Sequence, residues 1–225
     1  MQGLAKTLIP LFGLVAAPLT VQAAAPEDSL SYNYLEAGYV FGDQLEFDGD
    51  DDSDLDGFRF KGSAALTPEV FVWGASHNFD VEDFFFDDGS VDTQSLGVGY
   101  RFPLVTGPGA VDLWGGLSYE RLDAGTSGNG YGATLGLRWL PLPQLELSGF
   151  AGYRDYGDLE YGNGSFGDTE VDGATYGVGA AYHVTRNLAL LADWERWALD
   201  ADSDLIGSGD VDIDAFSVGV RWNIR

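Results

Sequence analysis

Apolar side chains recur at every second position through most of this chain, and a period of two commits it to β-strands with one apolar face. Leu35, Ala37, Tyr39 and Phe41 alternate with Tyr34, Glu36 and Gly38. Phe58, Phe60, Gly62, Ala64 and Leu66 alternate with Gly57, Arg59, Lys61 and Ser63. Repeats of the pattern place ten strands near 33–42, 56–66, 70–80, 93–102, 110–121, 130–139, 145–156, 174–183, 188–197 and 213–223. The connections alternate too. Short ones fall at 67–69, 103–109, 140–144 and 184–187, and long acidic ones at 42–55, 81–92, 122–129, 157–173 and 198–212. Short turns at one end and long loops at the other are how barrels of the bacterial outer membrane are built, with an even strand number. An open sheet edge would leave unsatisfied backbone groups in hydrocarbon, so the sheet must close. The expected fold is all-β, a transmembrane antiparallel up-and-down barrel of ten strands.

The first residues read as an address. Lys6 sits in a basic start, Leu8 to Val21 is apolar, and Val21-Gln22-Ala23 is a small-residue cleavage site. The expected division is a signal peptide at 1–23, cut after Ala23 with Ala25 as the alternative, and a barrel domain at 24–225. Pro10, Gly13 and Pro18 argue against a retained membrane helix.

Composition removes other classes. Thirty-six acids face 11 Lys and Arg, for a net charge of −25, which repels nucleic-acid phosphates. With no cysteine there is no disulfide scaffold, thiol catalysis or cysteine-held zinc. A hydrophobic content of 45% is too high for a disordered acidic tail.

If the odd-numbered strands run outward, the lipid-facing aromatics form two belts, as amphipathic rings do at membrane interfaces. The outer belt would hold Tyr39, Phe41, Phe58, Phe79, Tyr119, Tyr131, Tyr153, Tyr176, Trp194 and Phe216. The periplasmic belt would hold Phe71, Trp73, Tyr100, Phe102, Trp139, Tyr182 and Trp222. In the alternative, a soluble sandwich or lipocalin-like barrel, these rings would be core.

The same parity sends six bases inward, Arg59, Lys61, Arg101, Arg138, Arg154 and Arg221, against six acids, Glu36, Asp112, Glu120, Glu146, Asp193 and Glu195. Buried charge is tolerated when paired, so these twelve are expected to form an ion-pair network closing a narrow lumen. Inward glycines such as Gly97, Gly99, Gly116, Gly132 and Gly136 would leave room for the long charged side chains. A narrow, cation-preferring open pore is the runner-up.

No catalytic residue is assigned. Parity places His77 on the lipid face and His183 inside, so they form no joint site; His77 and Asp80 could imitate an Asp-His pair at the rim. Serine-nucleophile motifs, phosphate-cradling loops and HExxH are absent from the sequence. The acidic stretch at 48–57 offers Asp50, Asp52, Asp54 and Asp56 as a weak site for loosely bound Ca²⁺ or Mg²⁺. Ser63 stands where a calcium loop would need its closing glutamate, and a solvated acidic crown is the alternative. No other cofactor is expected.

The opening strand, Tyr32-Asn33-Tyr34-Leu35-Glu36-Ala37-Gly38-Tyr39-Val40, resembles that of a family of small ten-stranded Gram-negative outer-membrane β-barrels linked to vesicles and biofilm. Gly97-Val98-Gly99-Tyr100, Tyr119-Glu120 and Gly149-Phe150-Ala151-Gly152-Tyr153 resemble its later strands in order and spacing. Such barrels usually end on an aromatic residue, whereas Trp222 is followed by Asn223-Ile224-Arg225. The resemblance implies an outer-membrane protein without catalysis and with a structural or surface-interaction role in biofilm, vesicle or adhesion behaviour. Its partners would be outer-membrane lipid, lipopolysaccharide and the assembly machinery. It would be a monomer and bind no nucleic acid.

Overall fold

A computed structural model of the chain describes residues 30–47, 55–81, 89–159, 169–203 and 207–224. Within them run ten strands: β1 Tyr34–Phe47, β2 Leu55–Ala65, β3 Val70–Val81, β4 Gly89–Val105, β5 Val111–Asp123, β6 Ser127–Leu142, β7 Leu145–Leu159, β8 Thr169–His183, β9 Leu188–Ser203 and β10 Gly207–Asn223. Every strand pairs antiparallel with its sequence neighbour, and β1 pairs with β10, so the barrel is closed. Closure leaves the sheet without an open edge, the condition for spanning hydrocarbon. At the seam Glu36 stands opposite Arg221, and Arg221 Nε donates to Glu36 Oε1 at 2.6 Å.

Strands reach further than the sequence periodicity suggested, mostly at the end away from the short turns, with β4 and β6 also running on to Val105 and Leu142 at the other end. The expected loop at 122–129 is instead a tight hairpin, with β5 ending at Asp123, β6 starting at Ser127, and Gly125 at φ +79 in between. This extension went unseen because the alternation changes phase. In β10, Trp222, Val220, Val218 and Phe216 face outward, and above them Ala215 and Ile213 face inward while Asp214 and Asp212 take the outer wall. β9 switches likewise, from Leu190 outside to Trp197 and Leu199 inside. The lower barrel is therefore apolar outside, as lipid demands, and the upper barrel is apolar inside, as water demands.

The switch coincides with the outer aromatic belt, in which Tyr39, Phe41, Phe58, Tyr119, Tyr131, Tyr153, Tyr176 and Phe216 are exposed on the wall and Trp194 packs against Tyr176. Tyr100, Phe102, Trp139, Tyr182 and Trp222 form the other belt as expected. Just above the outer belt lies a polar ring. Tyr39 Oη donates to Asp56 at 2.5 Å, Asn78 Nδ2 to Asp92 at 2.7 Å, and Arg196 to Asp214 at 2.8 Å. From Phe216 to the top of β10, at roughly 3.3 Å per residue and a tilt near 40°, the wall rises about 20 Å beyond the belt.

One strand corrects the sequence expectation outright. In β3 it is Phe71, Trp73, His77 and Phe79 that point inward, and Asn78 and Asp80 that face out. The reason is volume. A side chain at Gly97 or Gly116 would overlap the Trp73 indole, one at Gly99 would overlap Phe71, and one at Gly136 would overlap Trp114. Those glycines thus make room chiefly for rings, while Gly38, Gly132 and Gly179 do so for Arg59, Glu120 and Asp193. A test follows from the two faces of the wall. Gly116→Val drives branched carbon into Trp73 and should destabilise the barrel by about 1–3 kcal/mol, as overpacking does. Gly74 meets only ordinary contacts at 3.5 and 3.9 Å on the outer face, so Gly74→Ala should change stability by less than about 0.5 kcal/mol. Urea unfolding of the heat-modifiable folded band in liposomes measures both.

Candidate functional site

The lumen is built in layers. At the end bearing the short turns, residues 30–33 leave the wall and enter the mouth. Leu30 and Tyr32 are buried there with Phe71, Ala110 and Leu140. The Tyr32 ring lies 4.6 Å from Phe71 and beneath the guanidinium of Arg138, also at 4.6 Å. Arg138 Nη1 donates to the Ser31 carbonyl at 2.7 Å and Arg101 Nη1 to that of Leu30 at 3.3 Å. The segment works as a plug, held by cation–π contacts and by donors that also serve the wall.

Above it lies the charged layer, where ten of the twelve expected residues come together. Arg138 grips Glu146 with two donors, Nε at 2.9 Å and Nη2 at 3.0 Å. Arg221 reaches Glu146 from the far wall at 2.9 Å while holding Glu36, and His183 Nε2 lies 3.7 Å from the same carboxylate. Glu146 thereby ties β6, β8 and β10 to β7. Arg59 pairs with Asp193, Arg101 with Asp112 at 3.3 Å, and Arg154 with Glu195 at 3.6 Å. Two residues stay outside these pairs. Glu120 accepts from Ser118 Oγ at 2.5 Å and keeps its second oxygen unpartnered, and Lys61 has no carboxylate within 4.0 Å among the described residues.

The upper lumen is filled with apolar side chains: Leu55, Phe79, Tyr156, Trp197, Leu199 and Ile213 are buried in one cluster. Trp197 joins it to the charges below, since its Nε1 donates to Glu195 at 2.6 Å and its ring lies 5.0 Å from the Arg154 guanidinium. His77 packs edge-on against Trp197 at 5.5 Å, and its Nδ1 lies 3.2 Å from Thr93 Oγ1. Between cap and plug remains a chamber of about 130 Å³.

Several expectations resolve here. His77 is a lumen residue and Asp80 lies on the outer wall, so they form no pair. The two histidines share the interior face and differ in height. Asp50, Asp52 and Asp54 lie outside the described residues, and Asp56 sits on the outer wall with Tyr39; the described residues hold no cluster of three or more metal-ligating side chains. Sequence reasoning missed Tyr32, Trp73, Trp114 and Trp197. Their signal was available for Trp114 and Trp197, which fall on the inward parity.

The charged layer predicts its own weak point. Glu146→Gln removes the negative charge that Arg138 and Arg221 share and puts an amide donor in place of one acceptor oxygen, and removing one partner of a buried pair costs about 3–5 kcal/mol. Arg121→Ala breaks only the exposed contact to Asp123 at 3.8 Å and should cost less than about 1 kcal/mol. Gel-shift melting of the two variants compares them directly.

A family model described as "Outer membrane protein beta-barrel domain" matches residues 12–223. The chain therefore belongs to that family and resides in the outer membrane. Comparison with curated proteins finds no match. Among solved structures, Neisserial surface protein A is 14% identical with a TM-score of 0.41, covering 86% of this chain and 97% of that one. Ail, the attachment invasion locus protein of Yersinia pestis, is 16% identical with a TM-score of 0.37 over 85% and 100%. The outer membrane protease OmpT from Escherichia coli is 14% identical with a TM-score of 0.41 over 88% and 100%.

Proposed function

From that membership, we propose that the protein is a non-enzymatic surface barrel, a rigid pedestal that carries an acidic rim above the outer leaflet for contacts of the biofilm, vesicle or adhesion kind. One observation carries this reading: the hydrophobic phase switch at the outer belt. A barrel that needed only to span lipid would have no use for a second, water-adapted storey with its own apolar core. Such a core stiffens the protruding wall, because interiors packed to crystal-like density resist deformation. The wall it supports is strongly acidic, with Asp92, Asp172, Asp200, Asp210, Asp212 and Asp214 among the residues above the belt. Lipopolysaccharide and outer-leaflet lipid surround the girdle below, and a solvated carboxylate crown stands above them.

The filled lumen weighs against the conducting alternative. An ion moving through would have to displace Trp197 and Tyr156 at one end and Tyr32 at the other, and all three are buried. Among the described residues no nucleophile and base meet at the rim, where a substrate could reach them; this favours interaction over catalysis.

Planar-bilayer recording on purified protein tests the reading. The wild type should show no stepwise conductance, and the doubly truncated Tyr32→Ala/Trp197→Ala should conduct. Discrete openings of the wild type at moderate voltage would replace the pedestal with a channel. Orientation is checked by epitope insertion. A tag after Gly125 should be labelled on intact cells, and one in the Pro141–Pro143 turn only after permeabilisation.

A further inference from the structure

The chamber between plug and cap is not electrically balanced. Its lining carries five bases, Arg59, Lys61, Arg138, Arg154 and Arg221, and four acids, Glu36, Glu146, Asp193 and Glu195. Each of the four carboxylates already has a guanidinium within 4.0 Å. Lys61 is the charge left over. Its cross-strand neighbours form no close ion pair with it: Glu36, opposite on β1, acts on it only from a distance while bonded to Arg221, and Ala75, opposite on β3, carries no charge. In the same lining, Arg59 Nε is buried without an acceptor. A desolvated cation without a partner is costly, and the rest of this lumen is paired to avoid that cost.

The adjoining wall of the chamber is aromatic. The Trp73 and Trp114 rings meet edge-to-face at 6.3 Å, and Phe71 packs on both, with Phe150 completing the surface. Inverted β3 creates this arrangement, because it sets Trp73 and Ala75 on the inner face beside Lys61. Small Ala75 is what keeps the space open. At about 130 Å³ the chamber is close to the ~150 Å³ apolar cavity that is known to admit benzene in another protein. Aromatic surface, a positive charge beside it with no close carboxylate and room for a single ring define a ligand chemistry.

We infer that the lumen chamber is a binding site for a small aromatic monoanion, a single-ring carboxylate whose ring packs on Trp73 and Trp114 and whose carboxylate pairs with Lys61. Entry is from the periplasmic mouth, past Leu30–Tyr32, which is held by two carbonyl-directed arginine bonds and by ring contacts of Tyr32, while Asn33 is already tied to the wall through Ile224 N and Ala65 N. This site is independent of the pedestal role: a barrel can be non-conducting with or without it.

Radiolabelled benzoate is the probe. The full barrel, refolded in detergent in its presence so that the plug closes around it, is analysed by equilibrium dialysis against detergent alone. Saturable binding near one per barrel is expected, displaced by unlabelled benzoate and not by acetate, which lacks the ring. Lys61→Met should weaken benzoate at least tenfold. Ala75→Leu keeps every charge and fills the space, and should abolish binding; it decides the matter if the lysine variant fails to give a folded, heat-modifiable band. Absence of saturable binding to the wild type would mean a chamber occupied by water only. Equal benzoate affinity in wild type and Lys61→Met, or undiminished binding by Ala75→Leu, would also overturn the assignment.

Discussion

Closure is the constraint from which the rest of this molecule follows. Lipid offers the backbone no partner, so β1 must find β10, and once it does the ten strands enclose a fixed and narrow volume. Whatever points inward must then satisfy everything else that points inward. Arg221 illustrates the consequence. It sits on the seam opposite Glu36, holds that residue's carboxylate, and crosses the lumen to Glu146 on β7. The pair that joins the sheet's edges is thus also a cross-brace, and Glu146 extends it to β6 and β8 through Arg138 and His183.

Much of this was legible because outer-membrane barrels write their lower half in a plain code. Strand number, closure, the belts and the inward set of twelve charges all follow from parity, and ten of those charges meet as pairs. Two things were not legible, for physical reasons. In β3 both faces are apolar or small below the belt: Val70, Val72 and Gly74 on one, Phe71, Trp73 and Ala75 on the other. Parity cannot choose between two apolar faces, and the expectation that rings meet lipid chose wrongly. What decided it lay on the neighbouring strands, where Gly97, Gly99 and Gly116 leave a void that only Trp73 and Phe71 fill. Unfilled volume costs contacts on every side, so the larger face turned inward.

The second illegible feature was the upper storey. Its strands carry acids and short apolar side chains in opposite phase to the segments below, so a window spanning both sees the two halves cancel and reads a loop. Asp210, Asp212 and Asp214 look like crown residues until Val211, Ile213 and Ala215 are recognised as their inward alternates. Trp197 and Tyr156, bulky and on the inward parity, were the residues that announced that the interior continued.

The two interiors do different work, and their junction explains why one barrel needs both. Charges fix register and seam, since a slip by one residue would turn every pair toward lipid. They also leave gaps, because long side chains meeting at their tips do not fill space as interlocking rings do. The apolar cap seals those gaps from the extracellular side, and Tyr32 seals them from below. Trp197 is where the layers are joined: its indole N–H binds Glu195, its face lies over Arg154, and its edge meets His77 and Phe79. A smaller residue there would do more than open a cavity. It would free Glu195 from a donor and expose the Arg154 pair to solvent from above, coupling loss of packing to loss of charge pairing. Rigidity of the acidic wall thus depends on a tryptophan buried beneath it, and not on the carboxylates that the surface displays.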